Sequence, residues 1–138
     1  MRIRAYQPAD AQALVDLWQQ VLPHAAPHND PHLSLENKLK AADGLLLVAE
    51  LEGQLVGAVM GGYDGHRGWL YSLAVLPHAR RQGVGTALCR SMEQLLRDCG
   101  CLKVNLQVRS ANSAVIPFYE TLGFEVEALT SLGKRLYD

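Results

Sequence analysis

The chain has 138 residues, enough for one domain to bury a core without disulfide staples, and its 49% hydrophobic and 20% charged composition excludes a disordered chain. A formal net charge of -1 excludes a nucleic-acid binder held by bulk electrostatics, and Arg80-Arg81 is too short a basic run to reverse that. No apolar run approaches the thickness of a bilayer and the N-terminus lacks a signal-peptide core, so no membrane partner is expected and the cytoplasm is the expected location.

Met1, Ile3 and Ala5 alternate with Arg2, Arg4 and Tyr6, the pattern of a first strand with one buried face. Pro8 and Asp10 announce a helix with Asp10 as its cap, and Leu14, Leu17, Trp18, Val21 and Leu22 fall on one stripe that places Trp18 in the core. Pro23 ends this helix. His24, His28 and His32 are spaced by four, but Pro27 and Pro31 forbid the continuous helix that would align them on a metal, so the segment reads as a polar loop. Leu35 and Leu39 suggest a short second helix, entered through Ser34 or through Asp30-Pro31. Leu45 to Leu51, the Glu52-Gly53 turn and Gln54 to Tyr63 form a hairpin, and Gly57, Gly61 and Gly62 inside its second strand mark a bulge or a close backbone approach. After Asp64-Gly65, Trp69 to Val75 makes a further strand that stops at Pro77.

Thr86 to Cys99 carries Leu88, Met92, Leu95 and Leu96 on one helical face, and Gly100 stops it. Leu102 to Val108 alternates as a strand, which makes the segment from Trp69 to Val108 a crossover between parallel strands. Asn112 is expected to cap a last helix running to about Leu122, with Pro117 anomalous in its interior; Gly123 closes it, and Phe124 to Glu127 with Leu132 to Tyr137 read as a terminal pair of strands. Cys89, Cys99 and Cys101 are odd in number, lack zinc-ligand spacing and read as small core residues or free thiols.

Between the Trp69 strand and the following helix stands Leu73-Ala74-Val75-Leu76-Pro77-His78-Ala79-Arg80-Arg81-Gln82-Gly83-Val84-Gly85-Thr86. The first amides of a helix have no partner inside it, Gly83 and Gly85 open the backbone to a ligand, and two arginines add charge, so the stretch is an anion site suited to a phosphate or pyrophosphate. It is not a P-loop, because no lysine precedes Thr86. Nor is it a dinucleotide fingerprint, because Leu88 stands where a small residue must pack.

Arg80-x-x-Gly83-x-Gly85 resembles the acyl-CoA pyrophosphate loop of the GNAT superfamily of N-acetyltransferases. Asn112 followed by Phe118-Tyr119-Glu120-Thr121-Leu122-Gly123-Phe124 resembles a second segment of that family, in the right order and separation. Met60 to Gly68 and Ser131 to Leu136 look like the YpeA-type bacterial subgroup, and Asn105 to Phe124 also resembles enzymes that acetylate the N-terminus of a ribosomal protein. The resemblance implies one α+β three-layer domain over 1–138, with a mixed, mostly antiparallel sheet of about six or seven strands and helices on both faces. It implies transfer of acetyl from acetyl-CoA, with no metal, to a primary amine in a ternary complex; a homodimer is left open. The amides of Gln82, Gly83, Val84, Gly85 and Thr86 with Arg80 and Arg81 would hold the pyrophosphate. The Leu73-Ala74-Val75 backbone would pair with the pantetheine arm, the Val75 N–H would polarise the thioester carbonyl, Asn112 would meet CoA, and Tyr119 would protonate the departing thiolate. The glutamate that family members use as base has no counterpart, its positions holding Trp69, Tyr71 and Gln107; Glu50, Asp64, His66 or water are the substitutes. That departure motivates an alternative, a catalytically weak acyl-CoA-binding sensor or interaction domain.

Overall fold

Alternating side chains and tight turns between Arg2 and Val75 build a meander. The computed structural model describes residues 1–138, and in it β1 (Arg2–Ala5), β2 (Leu46–Leu51), β3 (Gln54–Tyr63) and β4 (Gly68–Val75) lie side by side, each antiparallel to the one before. A fifth strand, β5 (Val104–Asn105), joins β4 in parallel. Glu52 and Gly53 both take positive φ, 52° and 77°, which matches the twist of the β2–β3 hairpin and requires a residue without a Cβ at the second position. The chain divides into two compact units, Met1–Gln107 and Val108–Asp138.

In the first unit, the strands' period of two sorts side chains to opposite faces. One face carries Leu46, Val48, Ala58 and Ala74, which pack on Leu14, Leu17 and Trp18 of α1 (Ala11–Val21) and Leu35 of α2 (Pro31–Ala41). The other receives α3 (Val84–Asp98), whose Val84, Leu88, Met92 and Leu96 are buried. Helices therefore cover both faces of a mixed sheet, as expected, with five strands in place of six or seven.

Glycines set how closely α3 lies. A Cβ at Gly57 would stand 3.0 Å from Val84 Cγ1 and 3.1 Å from Leu88 Cδ1, and one at Gly61 would run into the Met92 side chain. The costly glycines inside β3 are thus the floor on which the helix rests.

Helix entries follow local chemistry. The Asp30 carboxylate accepts the Leu33 N–H at 2.9 Å with Pro31 at the first helical position, so of the two possible entries to α2 the Asp30-Pro31 one is used. Asp10 behaves otherwise than expected. It makes no cap hydrogen bond to α1; its Oδ2 accepts the Gln7 N–H at 2.8 Å across a 3₁₀ turn, and both its oxygens accept from the Arg4 guanidinium at 2.8 Å.

The second half departs further from its sequence pattern. Leu102 to Val108 contributes only two strand residues, and Leu102 is fully exposed, because alternation selects faces but a strand also needs a partner with free backbone groups. In the second unit, Ser110–Val115 is a 3₁₀ segment with Asn112 non-helical inside it, and α4 (Ile116–Thr121) starts after it. Asn112 is therefore not the cap. Pro117 ceases to be an anomaly, since in the first turn of α4 its missing N–H has no helical acceptor to lose. Gly123, at φ 94°, ends the helix as expected. The terminal pair of strands does not form: Val126, Leu129, Leu132 and Leu136 are exposed and no strand follows β5.

Candidate active site

Strand β4 changes character halfway. Its pairing with β3 slips between Ala58/Ala74 and Met60/Tyr71, so that Ser72 and Leu73 oppose Val59 alone, and Ser72 takes φ 53°, a conformation few L-residues adopt. The bulge puts Tyr71 and Ala74, three residues apart, on the same face of the sheet. Nothing in the local sequence announced it.

Beyond the bulge β4 has an open edge. Parallel pairing to β5 is confined to Gly68 and Trp69. Leu76 donates its N–H to Val56 O at 2.8 Å, so by the alternation of an antiparallel ladder Val75 turns its own N–H and C=O away from β3. This is the edge that the sequence offered to an extended partner.

The turn that follows is built from unusual dihedrals. Pro77–Ala79 is one 3₁₀ turn, after which Arg81 and Gly83 adopt φ 63° and 81°. Arg80 reaches back, its Nε donating to Val75 O at 3.0 Å, and Gln82 donates from Nε2 to His78 O at 3.1 Å. Gly83 caps α3 without a side chain, so the amides of Val84, Gly85 and Thr86 have no acceptor within the helix and no capping oxygen above them. A Cβ at Gly83 would meet nothing within 4 Å, which leaves the mouth of this ring open. Arg80, Arg81 and Gln82 are exposed around it. Leu73, Ala74, Val75 and residues 80–86 are thus brought together: an open strand edge leads into a nest of donors at the positive end of a 15-residue helix.

In the second unit, Tyr119 is half-buried on α4 between two rings, Phe118 at 5.0 Å and Phe124 at 5.9 Å between centroids, both edge-on. Its carbonyl accepts the amides of Leu122 and Phe124 across the Gly123 turn. Asn112 is exposed on the preceding segment.

The three side chains weighed as bases fare differently from one another. Glu50 is committed to Arg4, with contacts of 2.6 Å to Nη2 and 2.8 Å to Nε. Asp64 Oδ1 accepts the His66 and Arg67 amides at 2.7 Å, and these hydrogen bonds hold its carboxyl below the usual range. His66 sits exposed on the same turn. That turn adjoins Gly68, at the end of β4 opposite Val75, roughly 20 Å away for a strand of this length. Neither Asp64 nor His66 therefore stands at the loop.

Sequence reasoning also missed a small cavity of about 40 Å³ on the α1–α2 face, lined by Trp18, Leu22, Pro23, Asn29, Pro31, Ser34 and Ser72. Trp18 is core, as its stripe foretold, yet its buried indole N–H has no protein partner. Beside it on the same face, Trp69 and Tyr71 stand nearly parallel, 17° apart with centroids at 6.2 Å, and Tyr71 is 46% exposed.

The chain resembles known proteins over its whole length. An acetyltransferase of Pectobacterium atrosepticum is 44% identical over 138 residues, covering 100% of this chain and 97% of the relative. Among solved structures, AAC(6')-Iy in complex with the bisubstrate analogue CoA-S-monomethyl-acetylneamine superposes with a TM-score of 0.78 at 23% identity, covering 97% of both chains. Glucosamine-6-phosphate N-acetyltransferase from Arabidopsis thaliana gives 0.72 at 19% identity, covering 99% of this chain and 98% of that one. Residues 11–124, from the start of α1 to the turn that closes α4, match the acetyltransferase (GNAT) family, and with a bacterial relative this similar from end to end the chain belongs to that family.

Proposed function

We propose that the protein transfers acetyl from acetyl-CoA directly to a primary amine, both substrates being bound at once. The observation that carries this reading is the continuity of the open edge of β4 with the donor ring at Gly83–Thr86. A pantetheine arm carries amides at intervals that suit pairing with Leu73 and Val75, and a diphosphate suits the ring together with Arg80 and Arg81. The Arg80 contact to Val75 O holds the guanidinium over the edge before any ligand arrives.

The reaction then needs three events. The amine lone pair attacks the thioester carbon, charge develops on the carbonyl oxygen, and the Val75 N–H stabilises it. The C–S bond breaks, and the CoA thiolate takes a proton from the Tyr119 hydroxyl, which water restores. The ammonium proton leaves through water, because Glu50 is held by Arg4 and Asp64 and His66 lie at the other end of β4.

Calorimetry with CoA and thiol release with acetyl-CoA plus an amine panel test the reading on three proteins. Gly83→Asn fills the ring and tolerates φ 81°, whereas the isosteric Gly83→Asp also charges it. Binding should therefore fall at least about tenfold further for Asp than for Asn. Tyr119→Phe should retain CoA affinity and lose about 10²-fold in turnover. Tight CoA binding with no thiol release on any amine would favour the sensor reading, and unchanged turnover in Tyr119→Phe would remove that residue's role.

A further inference from the structure

The two structural neighbours act on unlike acceptors with the same fold, so the acceptor is decided by side chains and not by architecture. On the face of the sheet shared with α1 and α2, the small cavity next to the β4 bulge is lined by uncharged side chains, and the Lys38 ammonium at Gly61 O is paired with Asp43. All seven residues lining the small cavity are neutral. The sheet beside it continues with Met60 and Gly62 of β3 facing Tyr71 and Trp69 of β4. Gly62 supplies no side chain, so the Tyr71 ring can lie over it, with Cε2 3.6 Å from where a Cβ would stand, stacked on Trp69 and 46% exposed. Ser72 joins the two parts: it lines the cavity and follows Tyr71 at the bulge, immediately before the edge residues Leu73 and Val75.

We propose that this face seats the acceptor and selects a monoamine on an aromatic or aliphatic skeleton over polyamines, aminosugars and sugar phosphates. The inference rests on the acetyl-transfer reading above. An apolar substituent gains by covering Trp69 and Tyr71, and an ammonium approaching over their faces is attracted by the ring quadrupoles. No lysine or arginine lines the cavity to hold a sugar phosphate, and no carboxylate lines it to pair the second and third ammonium groups of a polycation.

The test measures kcat and KM with acetyl-CoA for phenethylamine, ethylamine, spermidine, neamine and glucosamine 6-phosphate, on the wild type and on Tyr71→Ala. Expected are a kcat/KM for phenethylamine at least about tenfold above the last three, and in Tyr71→Ala a KM for phenethylamine raised about tenfold and clearly more than the KM for ethylamine. A general loosening of the fold would move both amines alike, so the split between them is specific to ring contact. Trp69→Phe, which keeps a smaller ring, should raise the KM for phenethylamine less than Trp69→Ala does. Fastest release with spermidine, neamine or the sugar phosphate overturns this inference and leaves acetyl transfer standing; no release with any amine overturns both.

Discussion

Arg4 is the residue on which two carboxylates converge, and it shows how a polar group enters a small core. Its pairing with Val48 puts it on the face shared with α1 and α2, where Tyr6 packs on the core, and it is half-buried as Asp10 and Glu50 close over its guanidinium. Its hydrogen bonds hold the Asp10 carboxyl below the ordinary range against the opposing effect of burial, with the Gln7 amide adding to them. A carboxyl depressed in the folded state stabilises the fold fully above its unfolded value, about 3.9, and that contribution is lost as pH falls through the folded value. Asp10→Asn should therefore be about 2–3 kcal/mol less stable than wild type at pH 7, with the gap closing below about pH 4. Urea unfolding at a series of pH values checks the direction; a gap that persists or widens in acid would mean that the turn geometry matters and the charge does not. Glu50 illustrates the converse error of reading. In sequence it is a lone acid in an apolar strand and so a candidate base, and only the fold reveals that Arg4, far away in the chain, occupies it.

At the scale of elements, the β3–α3 contact decides how the sheet is covered. Gly61 lies against the Met92 side chain, which is completely buried, while its carbonyl accepts from Lys38 of α2 and its N–H donates to Leu45 O at 2.9 Å. The backbone is thus tied from the opposite face and cannot yield to a new side chain. Gly61→Ala should cost about 1–3 kcal/mol, and adding Met92→Ala should recover part of the loss in a double-mutant cycle of thermal or urea unfolding; additive losses would show that the strain lies in β3 itself. The elements readable in advance were those whose cues are local. Glu52-Gly53 announced the hairpin, the Leu88–Met92–Leu96 stripe announced α3, and Gly83 with Gly85 announced the loop at its head. What could not be read depends on partners distant in sequence. The bulge at Ser72 arises from a register between β3 and β4, β5 is cut short by how little of β4's edge it meets, and α4 begins three residues late because Pro117 fits only a first turn. The apolar residues from Val126 to Leu136 alternate well enough to suggest strands, but no neighbouring backbone takes them into a ladder.

For the molecule as a whole, the buried apolar set runs from Leu14 to Leu96, entirely within the first unit, so the donor ring and the edge of β4 stand on the best-packed part of the chain. A preorganised edge and ring suit a mechanism in which the acetyl group never leaves CoA except for the amine. The placement of the cysteines argues for the proposed direct transfer over an acetyl-enzyme formed on a thiol. Cys89 is inaccessible on the buried face of α3, and burial with Glu93 nearby pushes its thiol up to about 12, leaving almost no thiolate at neutral pH. Cys99 and Cys101 follow the far end of α3, about 22 Å along the helix axis from its first residues, and Cys101 donates its S–H to Lys103 O at 3.2 Å. Initial velocities measured against both substrates should accordingly give intersecting double-reciprocal lines. Cys99→Ser and Cys89→Ala should each keep kcat within about threefold, because neither thiol can carry the acyl group. Parallel lines, or radiolabelled acetyl retained on the protein after removal of CoA and absent from one of these variants, would require a covalent route and a thiol made accessible by a rearrangement of α3.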